Sequence, residues 1–145
     1  MIGLIQRVDS ASVAIDGHQT AEIERGILLL AGFVRRDDAG QIGRFLERVL
    51  NYRIFPDSAG RMNRSLRDID GGLLVVPQFT LAADTNSGNR PSFTPAATPE
   101  QGRQLFEGLC ELAAEIWPNT GFGVFGANMQ VTLVNDGPVT FWLEG

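Results

Sequence analysis

The chain contains two short segments in which apolar residues follow one another without interruption, Ile27 to Phe33 and Leu73 to Val76. A strand that packs on one face alternates apolar and polar residues, whereas a strand covered on both faces is apolar throughout. Both segments have the length of strands rather than of helices. They therefore predict two strands that are buried on both faces.

Further strands are predicted near both ends of the chain. Alternating apolar residues indicate them, and Asp16-Gly17 is typical of the tight turn of a hairpin. In the tail, Asn135-Asp136-Gly137-Pro138 is predicted to join two strands. The four predicted strands are Ile2 to Val8, Ala11 to Ile15, Met129 to Val134 and Val139 to Leu143.

Two segments carry apolar residues at helical spacing. Asp37 or Asp38 can cap the first helix. Thr98 can cap the second, with Pro99 in the first turn and Gln101 as the return partner of a capping box. The predicted apolar stripes are Ile42, Phe45, Leu46, Val49 and Leu50 in the first helix, and Leu105, Phe106, Leu109, Ala113 and Ile116 in the second.

The balance of these elements predicts the fold class. Strands dominate, and neither a linker nor an internal repeat divides the chain. Residues 83–97 form one long predicted loop, and loops of that length tend to be functional. We therefore expect a single α+β domain, residues 1–145, with a curved or barrel-like β-sheet and two main amphipathic helices.

The inventory of reactive side chains excludes several familiar mechanisms. Cys110 is the only cysteine, His18 is the only histidine and there is no lysine, so no internal disulfide, histidine–cysteine metal cluster or Schiff base can form. His18 is expected at an exposed hairpin tip and Cys110 on an apolar helix face, which favours neither as a catalytic group. We expect no metal and no cofactor.

Charge and hydropathy indicate the surroundings of the protein. The longest apolar run, residues 26–34, is far shorter than a membrane span, and the amino terminus lacks the order of a signal peptide, so we expect a cytoplasmic protein without membrane contact. The net charge is −5, yet residues 35–67 hold eight arginines and four acids. That stretch is either a basic surface that touches phosphates or a solvated face with matched charges, and charge alone favours the second.

Two segments contain polar or rigid residues where a plain strand or turn does not need them. In Pro77 to Leu81, Gln78 and Thr80 interrupt an apolar strand, so these side chains either bond within the fold or face a pocket. In Asn135 to Thr140, the Gly-Pro pair is either an ordinary turn or a rigid projecting tip that presents carbonyls to a ligand. The residues alone leave both alternatives open.

Four ordered stretches resemble the D-aminoacyl-tRNA deacylase family, and the similarity runs from Met1 to Glu144. They are Gln6-Arg7-Val8, Gln78 to Thr85, Arg90-Pro91-Ser92-Phe93 and Met129 to Trp142, which includes Asn135-Asp136-Gly137-Pro138-Val139-Thr140. The resemblance implies hydrolysis of the ester of tRNA that carries a D-amino acid or glycine. It also implies a homodimer with active sites at the subunit interface.

The resemblance assigns roles to seven residues of this chain. Gln78, Phe79 and Thr80 would form the catalytic floor of each site. Gly137 and Pro138 would enter from the partner subunit with a cis peptide, bind the amino group of the substrate and exclude L-residues. Arg7 would orient that tip, and Met129 would lie near the terminal adenosine of the tRNA.

The implied chemistry relies on hydrogen bonds rather than on an ionised catalyst. The Phe79 N–H and the Thr80 hydroxyl would stabilise an oxyanion, and the terminal ribose 2′-hydroxyl of the tRNA would assist. Thr80 as a nucleophile is less favoured because no base is evident. Pro77 stands where many members have serine, and related L-selective deacylases resemble this segment with a proline at that position. An L-selective deacylase and a non-catalytic RNA-binding module are therefore the alternatives.

Overall fold

The computed structural model describes residues 1–145 and contains eight strands and three α-helices. The strands are β1 (Ile2–Ile15), β2 (His18–Ile23), β3 (Gly26–Gly32), β4 (Phe55–Pro56), β5 (Met62–Arg64), β6 (Gly72–Pro77), β7 (Thr120–Phe122) and β8 (Met129–Glu144). The helices are α1 (Ile42–Leu50), α2 (Leu66–Ile69) and α3 (Pro99–Ile116), with two 3₁₀ turns at Ala39–Gln41 and Phe79–Ala82. None of the helices is both long and apolar enough to span a membrane.

Six strands form one curved sheet. The order is β2-β1-β3-β6-β7, with β8 along the other edge of β1, and β3, β6 and β7 run parallel. A Cβ on Gly121 of β7 would lie 3.2 Å from the Ala21 Cβ of β2, so the two ends of the sheet approach each other. The sheet is nearly closed, and the prediction of an α+β fold with a barrel-like sheet and two main helices is confirmed.

The two continuous apolar runs are the central strands β3 and β6, which pair in register from Gly26–Gly72 to Ala31–Pro77. Alternate residues enter separate cores because successive side chains of a strand point to opposite faces. Ile27, Leu29, Leu73 and Val75 pack against the helices, whereas Leu28, Leu74 and Val76 face the interior of the curved sheet. Burial on both faces is thereby confirmed.

The predicted apolar stripe of α1 is buried throughout. Asp38 caps the 3₁₀ turn that leads into α1, accepting a hydrogen bond from the Gly40 N–H. Asp37 instead forms a buried ion pair with the Met1 ammonium group at 2.7 Å and accepts from the Val34 N–H at 2.8 Å. Asp38 is therefore the capping residue, and Asp37 anchors the amino terminus.

In α3, Thr98 caps the helix as predicted by accepting from the Gln101 N–H. The predicted return bond from the Gln101 side chain is wrong, because its Nε2 donates to the carbonyls of Arg35 and Asp37 at 3.1 and 3.0 Å. These acceptors come from the segment after β3, so the side chain joins α3 to the sheet.

The predicted divisions of the terminal strands are also wrong. The two segments at the start of the chain form one strand, β1, and the two in the tail form one strand, β8. Val8 pairs with Asn135 and Gln6 with Thr140, so residues 136–139 bulge out of β8 opposite a single residue of β1. The Asp-Gly-Pro segment is therefore a bulge within one strand and not a turn between two.

Candidate functional site

A cleft of about 480 Å³ opens where β6 ends. Its walls come from the end of β3, the start of α3 and the connection from β7 to β8. The lining residues are Ala31, Phe33, Val76, Pro77, Gln78, Phe79, Ala97, Thr98, Pro99, Gly102, Phe125, Gly126, Ala127, Asn128, Met129 and Val131. No side chain in this set is ionisable, so the cleft offers an apolar surface with a few neutral hydrogen-bonding groups.

The position of Pro77 explains how a proline can end a central strand. The Gln78 N–H donates to the Ala31 carbonyl at 2.7 Å, so residue 78 bonds toward β3. Alternate residues of a strand bond toward opposite neighbours, which turns Pro77 toward the side of β7. Because the pairing of β7 with β6 ends at Val75, the missing N–H of Pro77 removes no ladder bond.

Beyond Pro77 the chain enters the 3₁₀ turn Phe79–Ala82, so the strand expected to end around residues 78–81 ends at Pro77 instead. The Gln78 side-chain amide donates to the Thr80 Oγ1. Because that oxygen accepts from the amide, the hydroxyl hydrogen of Thr80 is left to donate outward. The Phe79 and Thr80 N–H groups have no hydrogen-bond partner within the chain.

The sequence left open whether Gln78 and Thr80 bond within the fold or face a pocket. Gln78 and Thr80 bond to each other, and Gln78 also lines the cleft. Phe79 lines it as well; the residue is 57% exposed, and its ring packs against that of Phe93 at 5.1 Å between centroids. The segment therefore presents three potential donors, two N–H groups and one hydroxyl, on an exposed surface at the cleft.

Met129, the first residue of β8, lines the cleft where the connection from β7 enters that strand. The Val124 N–H donates to its sulfur at 3.4 Å. A Cβ on Gly123 would lie 2.9 Å from that sulfur and 3.0 Å from the Cδ of Pro77, so only glycine lets the two walls approach this closely. Neither Phe125 nor Gly102 is a predicted site residue; Phe125 belongs to the stretch 121–126, which is rich in glycine and phenylalanine, and nothing in the sequence marks Gly102.

Arg7 and the Gly137–Pro138 tip form a second group. The Arg7 guanidinium donates to the Asp136 carbonyl at 2.9 Å and to the Ile54 carbonyl at 2.7 Å. It also pairs with the Asp136 carboxylate at 2.9 Å, with only 13% of the Arg7 side chain exposed. The Gly137–Pro138 peptide bond is cis, and both residues are exposed. Arg7 thus holds the base of a projecting tip.

The two groups do not meet within one chain. Gln78, Phe79 and Met129 line the same cleft, whereas Arg7, Gly137 and Pro138 are absent from its walls. Along the sheet, Pro77 is level with Ala31, which pairs with Gly3, whereas Arg7 pairs with Ile27. A single chain therefore supplies a cleft in one place and a tip in another.

The titratable groups of the chain lie elsewhere. Cys110 on α3 is half-buried, and its burial, together with the charges of Glu107 and Glu111, raises the pKa of its thiol to about 12. His18 is exposed at the hairpin turn, where its Nδ1 lies 3.0 Å from the Asp16 carbonyl oxygen. The eight arginines of residues 35–67 are all exposed. None of these groups lines the cleft.

Sequence comparison relates the chain to known proteins along almost its whole length. A family model described as D-Tyr-tRNA(Tyr) deacylase matches residues 4–144. A protein named D-aminoacyl-tRNA deacylase from Alkalilimnicola ehrlichii is 61% identical over 144 residues, covering 99% of this chain and 96% of that protein. A protein of the same name from Legionella pneumophila strain Corby is 55% identical over 144 residues, covering 99% of each chain.

Solved structures show the same fold. A structure titled c-Myc DNA Unwinding Element Binding Protein superimposes with a TM-score of 0.94 at 36% identity, covering 100% of this chain and 99% of that one. A probable eukaryotic D-amino acid tRNA deacylase superimposes with a TM-score of 0.87 at 15% identity, covering 98% and 97%. The second likeness concerns the fold alone.

Proposed function

The chain belongs to the D-Tyr-tRNA(Tyr) deacylase family and is an ester hydrolase of the D-aminoacyl-tRNA deacylase type, and we propose that its active site is the cleft at Gln78, Phe79 and Thr80. The main support for this activity is the match of 99% of the chain to proteins named D-aminoacyl-tRNA deacylase at 55–61% identity. The substrate is aminoacyl-tRNA in the cytoplasm, and the products are the free D-amino acid and tRNA. Glycine misattached to tRNA is a second substrate.

The groups at the cleft suit hydrolysis of an activated ester. Water adds to the ester carbonyl carbon, the bond to the ribose oxygen breaks, and the proton from water ends on that oxygen. The Phe79 N–H and the Thr80 hydroxyl, both free of internal acceptors, stabilise the negative charge that develops on the carbonyl oxygen. Since no ionisable side chain lines the cleft, the 2′-hydroxyl of the terminal ribose assists the proton transfer.

The apolar part of the cleft suits the terminal nucleoside. Met129 and Phe125 provide a polarisable sulfur and an aromatic ring on one wall. A planar base stacks favourably on such groups, and this contact is tolerant of sequence. We assign the terminal adenosine of the tRNA to this wall, which places its esterified ribose toward Gln78 and Thr80.

Selection against L-residues requires the Gly137–Pro138 tip, which in one chain lies outside the cleft. A homodimer in which each tip enters the cleft of the partner accounts for this separation. Two features support it: β8 pairs with β1 along one edge only, and its apolar residues Val134 and Trp142 are 53% and 47% exposed. The carbonyls of the tip then bind the substrate ammonium group, and an L-side chain collides with the tip.

The activity is tested with purified protein and both stereoisomers of tyrosyl-tRNA in the presence of a metal chelator. We expect rapid loss of the D-ester and retention of the L-ester. Preferential loss of the L-ester would identify an L-selective deacylase. Binding of tRNA without hydrolysis of either ester would identify an RNA-binding module.

The shared site is tested by mixing two variants of low activity, Thr80→Val and Gly137→Ala, after reversible unfolding. A mixed dimer would combine the intact cleft of one subunit with the intact tip of the other, so random reassociation should restore about a quarter of wild-type activity. Refolding each variant alone is the control. No recovery in a mixture shown to be dimeric would refute the cross-subunit site.

A further inference from the structure

Arg103 lies at the rim of the cleft. Its guanidinium carbon is 5.2 Å from the centre of the Phe125 ring, and Phe125 lines the cleft. A Cβ on Gly126, another lining residue, would lie 3.8 Å from an Arg103 nitrogen. Of the arginines that make cation–π contacts or hydrogen bonds, only Arg103 reaches a residue of this lining.

The charge of Arg103 is not neutralised within the chain. Glu100 and Glu107 lie on the same helix, three residues before it and four after it, yet neither carboxylate is within 4.0 Å of its guanidinium. The Arg103 guanidinium also makes no hydrogen bond within the chain, and its contacts are with Phe125 and Gly126. Its donors therefore remain available while the aromatic ring restricts the orientation of its plane.

The chemistry of the cleft indicates what this cation meets. The lining carries no charge and suits a neutral nucleoside ester, but the strand that delivers this nucleoside carries a phosphate at each linkage. A planar guanidinium matches phosphate oxygens and can stay stacked on a ring while it donates to them. Building on the proposed function, we infer that Arg103 binds a backbone phosphate of the single-stranded acceptor end and so holds the terminal nucleoside in the cleft.

Arg103 is a binding residue in this assignment and does not touch the reacting ester. Arg103→Gln should therefore raise KM about fivefold, the upper range for one exposed ion pair, and leave kcat unchanged. The same variant should hydrolyse 3′-O-D-tyrosyl-adenosine, which contains no phosphate, at the wild-type rate. Arg25→Gln is the matched control because Arg25 is also exposed and stacked on a phenylalanine, Phe55, at 5.6 Å.

Binding of uncharged tRNA separates this inference from the proposed function. In a plot of log affinity against log salt concentration, the magnitude of the slope should fall by about 0.7 in Arg103→Gln, as expected for the loss of one single-strand phosphate contact. The slope should stay unchanged in Arg25→Gln. Equal changes in both variants, or none in Arg103→Gln, would overturn the assignment. If the wild type binds tRNA but hydrolyses neither substrate, the proposed function fails, and the difference in slope still decides the role of Arg103.

Discussion

Replacement of Thr80 by valine tests the hydrogen-bond mechanism most directly. Valine keeps the shape of the side chain and removes the hydroxyl, one of the two donors assigned to the oxyanion. Removal of such a donor from an enclosed site lowers kcat about 10²–10³-fold. Thr80 is exposed, so solvent screens part of its effect. We therefore expect a loss of about 10–100-fold in kcat, equivalent to about 1.4–2.7 kcal/mol.

The assay is single-turnover hydrolysis of D-tyrosyl-tRNA, with Thr80→Ser as the control because serine keeps the hydroxyl. The serine variant should retain most of the activity, and both variants should unfold at the wild-type temperature since the residue is exposed. An unchanged rate in Thr80→Val would refute the role of the hydroxyl. Complete loss of activity, together with an acyl group trapped on wild-type Thr80, would instead establish a nucleophile.

Three further perturbations test other parts of the structure. A Cβ on Gly137 would lie 2.8 Å from the Val139 backbone nitrogen and would also contact the Asn135 side-chain oxygen, so Gly137→Ala should displace the tip and lower D-tyrosyl-tRNA turnover in steady-state assays without altering the far-UV circular dichroism; normal turnover would exclude the tip from the site. Asp37→Asn leaves the buried Met1 ammonium without its counter-ion and should lower the free energy of unfolding in urea by about 3–5 kcal/mol, and a loss below about 1 kcal/mol would contradict that view. Because the raised pKa keeps the Cys110 thiol protonated, its alkylation at pH 8 should be at least a hundredfold slower than that of a free thiol by mass spectrometry, and should accelerate as pH rises toward 12.

Local residue patterns were sufficient to predict the central elements of the fold. The apolar runs that became β3 and β6 predicted strands buried on both faces, because no polar residue interrupts either core-facing side. The stripe of α1 and the cap at Thr98 were likewise predictable, since spacing and capping depend on residues within one or two turns. Asp16 and Gly17 both adopt positive φ angles, as the tight hairpin turn requires.

Long-range pairing decided what these patterns left open. Asp37 and Asp38 are adjacent acids with equal capping potential, and only the approach of the amino terminus directs Asp37 to an ion pair. The Asp136–Val139 bulge has the composition of a turn, but both flanking segments pair with the single strand β1, so the chain continues in the same direction. Local propensity cannot distinguish these outcomes because the deciding partner is distant in the sequence, 36 residues from Asp37 in the first case and more than a hundred residues from the bulge in the second.

The candidate site shows the same division. The sequence by itself determined the chemical groups, an amide, a hydroxyl and a Gly-Pro pair, and excluded lysine, disulfide and histidine-based metal chemistry. Only the tertiary structure decided that Gln78 and Thr80 bond to each other, that Phe125 and Gly102 complete the cleft, and that Arg103 lies at its rim. A cleft forms from side chains of several elements, and its shape follows from packing across the sheet, which no short stretch of sequence encodes.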